Sequence, residues 1–89
     1  MHAKISPEKA SALKLAKQAS GTIKKVIEMI EQDEYCMDVL QQAGSVAGLL
    51  SRMRGRLLEG HLKHCLEEKL KEDKDKTLKE LLKIYNLSN

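Results

Sequence analysis

Apolar residues keep three-and-four spacing through most of this chain, the period of amphipathic α-helices. Ala12, Leu13, Ala16, Ala19, Ile23, Val26, Ile27 and Ile30 hold that spacing and predict a first helix over about residues 7–32. Ser6-Pro7-Glu8 supplies its start, with Ser as N-cap, Pro at the first helical position and Glu near the positive end of the dipole. Gly21 interrupts the helix at a cost of about 1 kcal/mol against Ala, which suggests a close helix contact there. Asp33 is the best N-cap for a second helix over about 34–68, whose stripe takes in Cys36, Val39, Leu40, Ala43, Ala47, Leu50, Met53, Leu57, Leu58, His61 and Cys65. Its middle, Gly44-Ser45-Val46-Ala47-Gly48, is small enough for two helices to cross closely. Residues from about 69 to 75 read as a charged hinge. Asp73 or Asp75 then caps a third helix over about 76–86, with Leu78, Leu81, Leu82 and Tyr85 on one face. The expectation is a single all-α domain, residues 1–89, without internal repeats.

Composition makes a lone protomer marginal. The chain has 89 residues, two Tyr and no Phe or Trp, so the largest contributors to a core are scarce. Its apolar stripes are expected to be buried against further copies of the chain. No apolar run is long enough to cross a bilayer and MHAKISPEK has no signal-like apolar region, so a cytoplasmic location is expected. In a reducing compartment Cys36 and Cys65 read as thiols, metal ligands or redox sensors, and on one continuous helix they are too far apart for a disulfide. The net charge of +3, with a third of residues charged, mostly describes solvated helix faces. A homotetramer would multiply it fourfold and favour a polyanion.

Cys36, His61 and Cys65 carry the candidate chemistry. At about 100° per residue the steps from Cys36 to His61 and to Cys65 fall within roughly 20° of whole turns, so all three share one helix face. At about 1.5 Å rise per residue Cys36 is still some 40 Å from the other two. An antiparallel second copy removes that distance, placing Cys36 of one chain beside His61 and Cys65 of the other, with two equivalent sites per dimer. His61 and Cys65 are at i and i+4, as two helix-borne ligands of one ion should be, while Cys36 falls in a first turn, where unpaired N–H groups favour negative charge. Two sulfurs and one imidazole form a soft, low-coordinate set suited to Cu(I). Structural zinc would want a fourth ligand, for which His64, about 60° off the stripe, is the candidate. Taken singly, a Cys reads as a small hydrophobe and a His as a surface residue; three on one face read as a site. His2 reads as a bystander near the terminus.

Arg52, Arg54 and Arg56, with Lys14, Lys17, Lys24 and Lys25, form a candidate phosphate-binding surface, and read equally well as solvated faces with Glu partners. There is no helix-turn-helix spacing or aromatic platform, and no nucleophile–base set or phosphate loop that would indicate an enzyme.

The segments EYCMDVLQQAGSVAGLL and LLEGHLKHC, with Cys-x24-His-x3-Cys spacing, resemble the CsoR/RcnR family of metal- and sulfur-responsive repressors over about residues 10–66. The resemblance implies a three-helix protomer, an antiparallel four-helix-bundle dimer and a disc-shaped dimer of dimers that binds operator DNA. For the copper branch it implies Cu(I) held by Cys36 of one subunit with His61 and Cys65 of another, and DNA release on binding. Tyr35 and Glu80 match positions that support the ligands. One departure stands in the first helix, LKLAKQASGTIKKVI, where Leu15, Gln18, Thr22 and Lys24 replace the family's usual Arg and Gln. Two other functions fit the same residues: a persulfide or redox sensor joining Cys36 to Cys65 across the dimer, and a copper-binding member that no longer binds DNA.

Overall fold

The computed structural model describes residues 5–88, so His2 lies outside the described residues. Four helices follow one another, α1 (Pro7–Glu31), α2 (Cys36–His64), α3 (Leu66–Glu72) and α4 (Lys74–Ser88), with no strand among the described residues. None is long and apolar enough to cross a membrane.

The start of α1 is the expected one: Ser6 Oγ accepts from the Lys9 N–H at 3.2 Å and Pro7 opens the helix. Its end differs from expectation. Asp33, expected to be the N-cap of the second helix, has φ 54 and instead terminates the first. Its N–H bonds the Ile30 carbonyl at 3.1 Å and that of Glu34 the Met29 carbonyl at 3.0 Å, the paired bonds of a Schellman motif. Asp tolerates the left-handed region better than most residues, and a reversal within four residues requires it here. Tyr35 becomes the N-cap of α2 without a side-chain cap bond, and the helix opens at Cys36 rather than residue 34.

The three-helix expectation is also corrected. Cys65, at φ −120 and ψ −33, ends α2 at His64, and helix resumes at once as α3 across most of the expected hinge. The charge run sustains it: Glu67 and Glu68 lie in the first turn and Lys69 and Lys71 in the last, and Lys71 pairs with Glu67 at 3.6 Å. Of the two candidate caps for the last helix, Asp73 is used, its Oδ1 accepting from the Lys76 N–H at 3.1 Å. Thr77, 4% exposed, donates to the Lys69 carbonyl at 2.9 Å and ties α4 to α3. α4 therefore begins at Lys74, two residues before the expected start.

α1 and α2 form an antiparallel hairpin whose core is Ala19, Val26, Val46 and Leu49, with Leu15 and Val39 packed against it. The broad stripe expected on α2 resolves into two heptad seams. Val39, Gln42, Val46, Leu49, Met53, Arg56 and Gly60 are buried or half-buried on one. Cys36, Leu40, Ala43, Ala47, Leu50, Arg54 and Leu57 are exposed on the other, which ends at half-buried His61. α1 divides likewise: Ala12, Ala19 and Val26 are buried, whereas Leu13, Ile23, Ile27 and Ile30 are exposed. Nothing lies within 4 Å of where a Cβ would sit on Gly21, Gly44 or Gly48, so the close approaches expected there do not occur within the protomer. The radius of gyration is 17.1 Å, against about 12 Å for a compact domain of this length. Extents of 53 × 33 × 16 Å describe a thin, open protomer.

Candidate metal centre

Cys36 is the first residue of α2 and exposed; His61 lies in its last turn and Cys65 at the α2–α3 joint, both half-buried. Both cysteines are free thiols. The helix that carries Cys36 and His61 is continuous, so the chain holds them at opposite ends of α2. Accordingly, no three His, Cys, Asp or Glu side chains converge on one point among the described residues of a single protomer.

A groove of about 660 Å³ runs between α2 and α4, lined by Arg54, Leu57, Leu58 and His61 of the one and Glu80 and Leu81 of the other. Glu80 and His61, expected to act together, thus line the same groove. Tyr35 is at the far end of α2, 67% exposed beside Cys36.

His64 is engaged elsewhere. Its Nε2 lies 2.8 Å from Glu8 Oε1, so the ring donates to the carboxylate, and Lys63 Nζ lies 3.5 Å from the other oxygen, Oε2. Glu8 is 7% exposed, and its Cβ stands 3.0 Å from where Gly60 would carry one. The hydrogen bond from His64, followed by one from the residue's own backbone, holds the Glu8 carboxyl below its usual range, against the opposing effect of burial. Lys63 is raised above its ordinary value, first by its hydrogen bond to Glu59, 3.0 Å away. Sequence reasoning read Glu8 only as a first-turn acid. Its buried role depends on the register of the hairpin, which no local pattern encodes.

The basic candidates separate. Lys14, Lys17, Lys24, Lys25, Arg52 and Arg54 are exposed. Arg56 is half-buried and turned inward, its Nη1 2.6 Å from Glu59 and its Nε donating to Ser11 Oγ at 3.2 Å. At the departure in the first helix, Leu15 is packed against the core, where a charged side chain would be poorly accommodated. Thr22 turns its hydroxyl back to the Gln18 carbonyl at 3.0 Å.

A family profile described as metal-sensitive transcriptional repressor matches residues 8–86. The chain is 31% identical over 83 residues to the copper-sensing transcriptional repressor CsoR of Bacillus subtilis, covering 92% of this chain and 82% of that protein. It is 36% identical over 59 residues to the copper-sensing transcriptional repressor RicR of Mycobacterium tuberculosis, covering 66% of this chain and 62% of that one. With the copper-sensing transcriptional repressor CsoR of Mycobacterium ulcerans it shares 35% over 65 residues, 73% of this chain and 56% of the other. No solved structure matches the chain.

Proposed function

The chain belongs to the metal-sensitive transcriptional repressors, a family without enzymatic activity, and from that premise we propose that it represses transcription in response to Cu(I). In this reading the metal-free protein holds operator DNA and lets go when Cys36 of one protomer and His61 and Cys65 of an antiparallel partner take up Cu(I).

The observation that carries the proposal is the open seam of α2. Turned about a point between Gly48 and Leu49, it meets its own copy in register: Cys36 opposite His61, Leu40 opposite Leu57, Ala43 opposite Arg54 and Ala47 opposite Leu50. Cys65 follows one turn beyond His61. The same rotation covers the exposed Leu40, Leu50 and Leu57 and brings the small residues Gly44, Ala47 and Gly48 to the crossing. The donor set fits the ion, since both thiols are free and two sulfurs with one imidazole suit a soft monovalent cation. Copper sensing in the named relatives supports the same choice.

When bound, Cu(I) supplies a soft cation that links the N-terminal end of one α2 to the C-terminal end of its partner. The rest is protein. Cys36 gives up its exposure at the start of α2, His61 is oriented from the groove it shares with Glu80, and Cys65 lies at the joint where α2 gives way to α3. DNA release requires that the DNA-free arrangement bind metal more tightly by the coupling energy, typically about 1–3 kcal/mol. The exposed Lys14, Lys17, Lys24, Lys25, Arg52 and Arg54 are the residues assigned to phosphate contact, repeated by symmetry in a dimer of dimers.

The test is His61→Ala, titrated with Cu(I) and separately with a persulfide donor, with binding to DNA from the chain's own upstream region as readout. Cu(I) affinity should fall by more than the roughly 10–100-fold that loss of an outer-shell partner costs, and copper-driven release should vanish. A copper response that survives His61→Ala overturns the proposal, and release by persulfide alone identifies a sulfur sensor. If no salt-dependent DNA binding occurs with or without copper, the chain is a copper-binding protein rather than a repressor.

A further inference from the structure

We propose that Glu8 is a positioning residue for the ligand turn, holding the segment that bears His61 and Cys65 against the start of α1. Glu8 and Thr77 are the only polar residues buried among the described residues, and Thr77 is accounted for by its bond to the end of α3. Glu8 reaches three successive points on the last two turns of α2. Its Cβ closes over Gly60, its Oε2 faces Lys63 and its Oε1 accepts from His64. One turn earlier the tie is doubled, since Arg56 donates to Ser11 of α1 while also holding Glu59, which in turn holds Lys63. Residues 56, 60, 63 and 64 are the points at which this segment meets α1. His61 lies among them on the other side, and Cys65 follows the last of them.

The same short stretch therefore presents ligands outward and is clamped inward. The clamp is attached to the helix that carries Lys14 and Lys17, so a shift of the ligand turn is passed to the basic face through Glu8 and Ser11 rather than through the distant Asp33 reversal. Gly60 makes this contact possible, because any side chain there would meet Glu8 Cβ at 3.0 Å. The assignment of His61 and Cys65 as ligands rests on the function proposed above; the clamping of their segment does not.

The test compares wild type, Glu8→Ala and Glu8→Gln as the full-length assembled protein. Amide hydrogen exchange of the metal-free protein is read over residues 60–65 and, as an internal control, over residues 40–50, followed by competition titration with Cu(I). Glu8→Ala should speed exchange over 60–65 about tenfold while leaving 40–50 unchanged, and weaken Cu(I) binding by about tenfold, at the lower end of the range for partners that orient a ligand. Glu8→Gln, which keeps the shape and an acceptor for His64, should recover most of both effects. Unchanged exchange over 60–65 in Glu8→Ala overturns the proposal, as does acceleration spread equally over 40–50, which marks general loosening. A wild type that ignores Cu(I) while Glu8→Ala still loosens 60–65 alone sinks the copper reading and leaves the clamp standing.

Discussion

Leu49 and Leu50 are adjacent and of one residue type, yet Leu49 is 9% exposed and Leu50 42%. Leu49 belongs to the seam that α1 closes, together with Val46 and Gly60; Leu50 belongs to the seam that runs from Cys36 to His61, whose residues up to Leu57 are exposed. The closed seam is finished by the chain itself. The open one is equally regular and, in the proposed function, is covered by a second chain; Cys36 and His61 lie along it. In this protein the residues that fold the hairpin and those that would bind metal are separated by about one-third of a helix turn.

The sharpest way to break the comparison is Leu50→Glu. In an antiparallel pair each substitution occurs twice, and losing two buried leucines at about 2 kcal/mol each should weaken self-association by about a thousandfold. Light scattering across a dilution series would check this, with α1 and α2 remaining helical by circular dichroism. Leu49→Ala asks the converse question and should lower unfolding stability by about 2–4 kcal/mol through the cavity it leaves under α1, read from the denaturant midpoint of a given assembly. If Leu50→Glu leaves association intact while Leu49→Ala abolishes it, the two seams have been assigned the wrong way round.

Smaller effects sharpen the boundary of the closed region. Thr77→Val removes the bond that joins α4 to α3 and should cost about 1 kcal/mol without altering association. The Glu8 clamp is pH-dependent in a fixed sense. Its carboxyl is held below its ordinary value, so its stabilisation is complete above that ordinary value and is lost as pH falls through the lowered one. Unfolding midpoints measured from about pH 6 to about pH 3 should therefore fall less steeply in Glu8→Gln than in wild type.

Much of the fold was legible because it is written in local signals. The Ser6-Pro7-Glu8 start, the apolar spacing of α1 and α2 and the Asp73 cap each act within one or two turns. Asp33 was misread because the residue type that caps a helix start also tolerates a left-handed helix end, and only the path of the chain decides between them. The break at Cys65 has no sequence signal either, since HLKHCLEEK contains neither Gly nor Pro. The division of one stripe into two seams was hidden because neighbouring heptad positions merge into a single broad apolar arc until α1 is laid on one side. Glu80 could be placed with His61 only through the resemblance; in the structure both line the groove between α2 and α4. Glu8 and Arg56 were missed as inward-facing residues because their partners lie 56 and 45 positions away in the chain.

The length of α2 has one more consequence. Because Cys36 opens the helix and His61 lies in its last turn, each proposed site draws on two polypeptides and comes into being only when they meet. A chain without Cys36 and a chain without His61 and Cys65 are each blind alone, but their mixed dimer contains one complete set of donors and one set with none. Metal sensing then rises with the square of chain concentration when the protein is dilute. The cell's stock of the repressor becomes a second input, read by the same residues that read the metal.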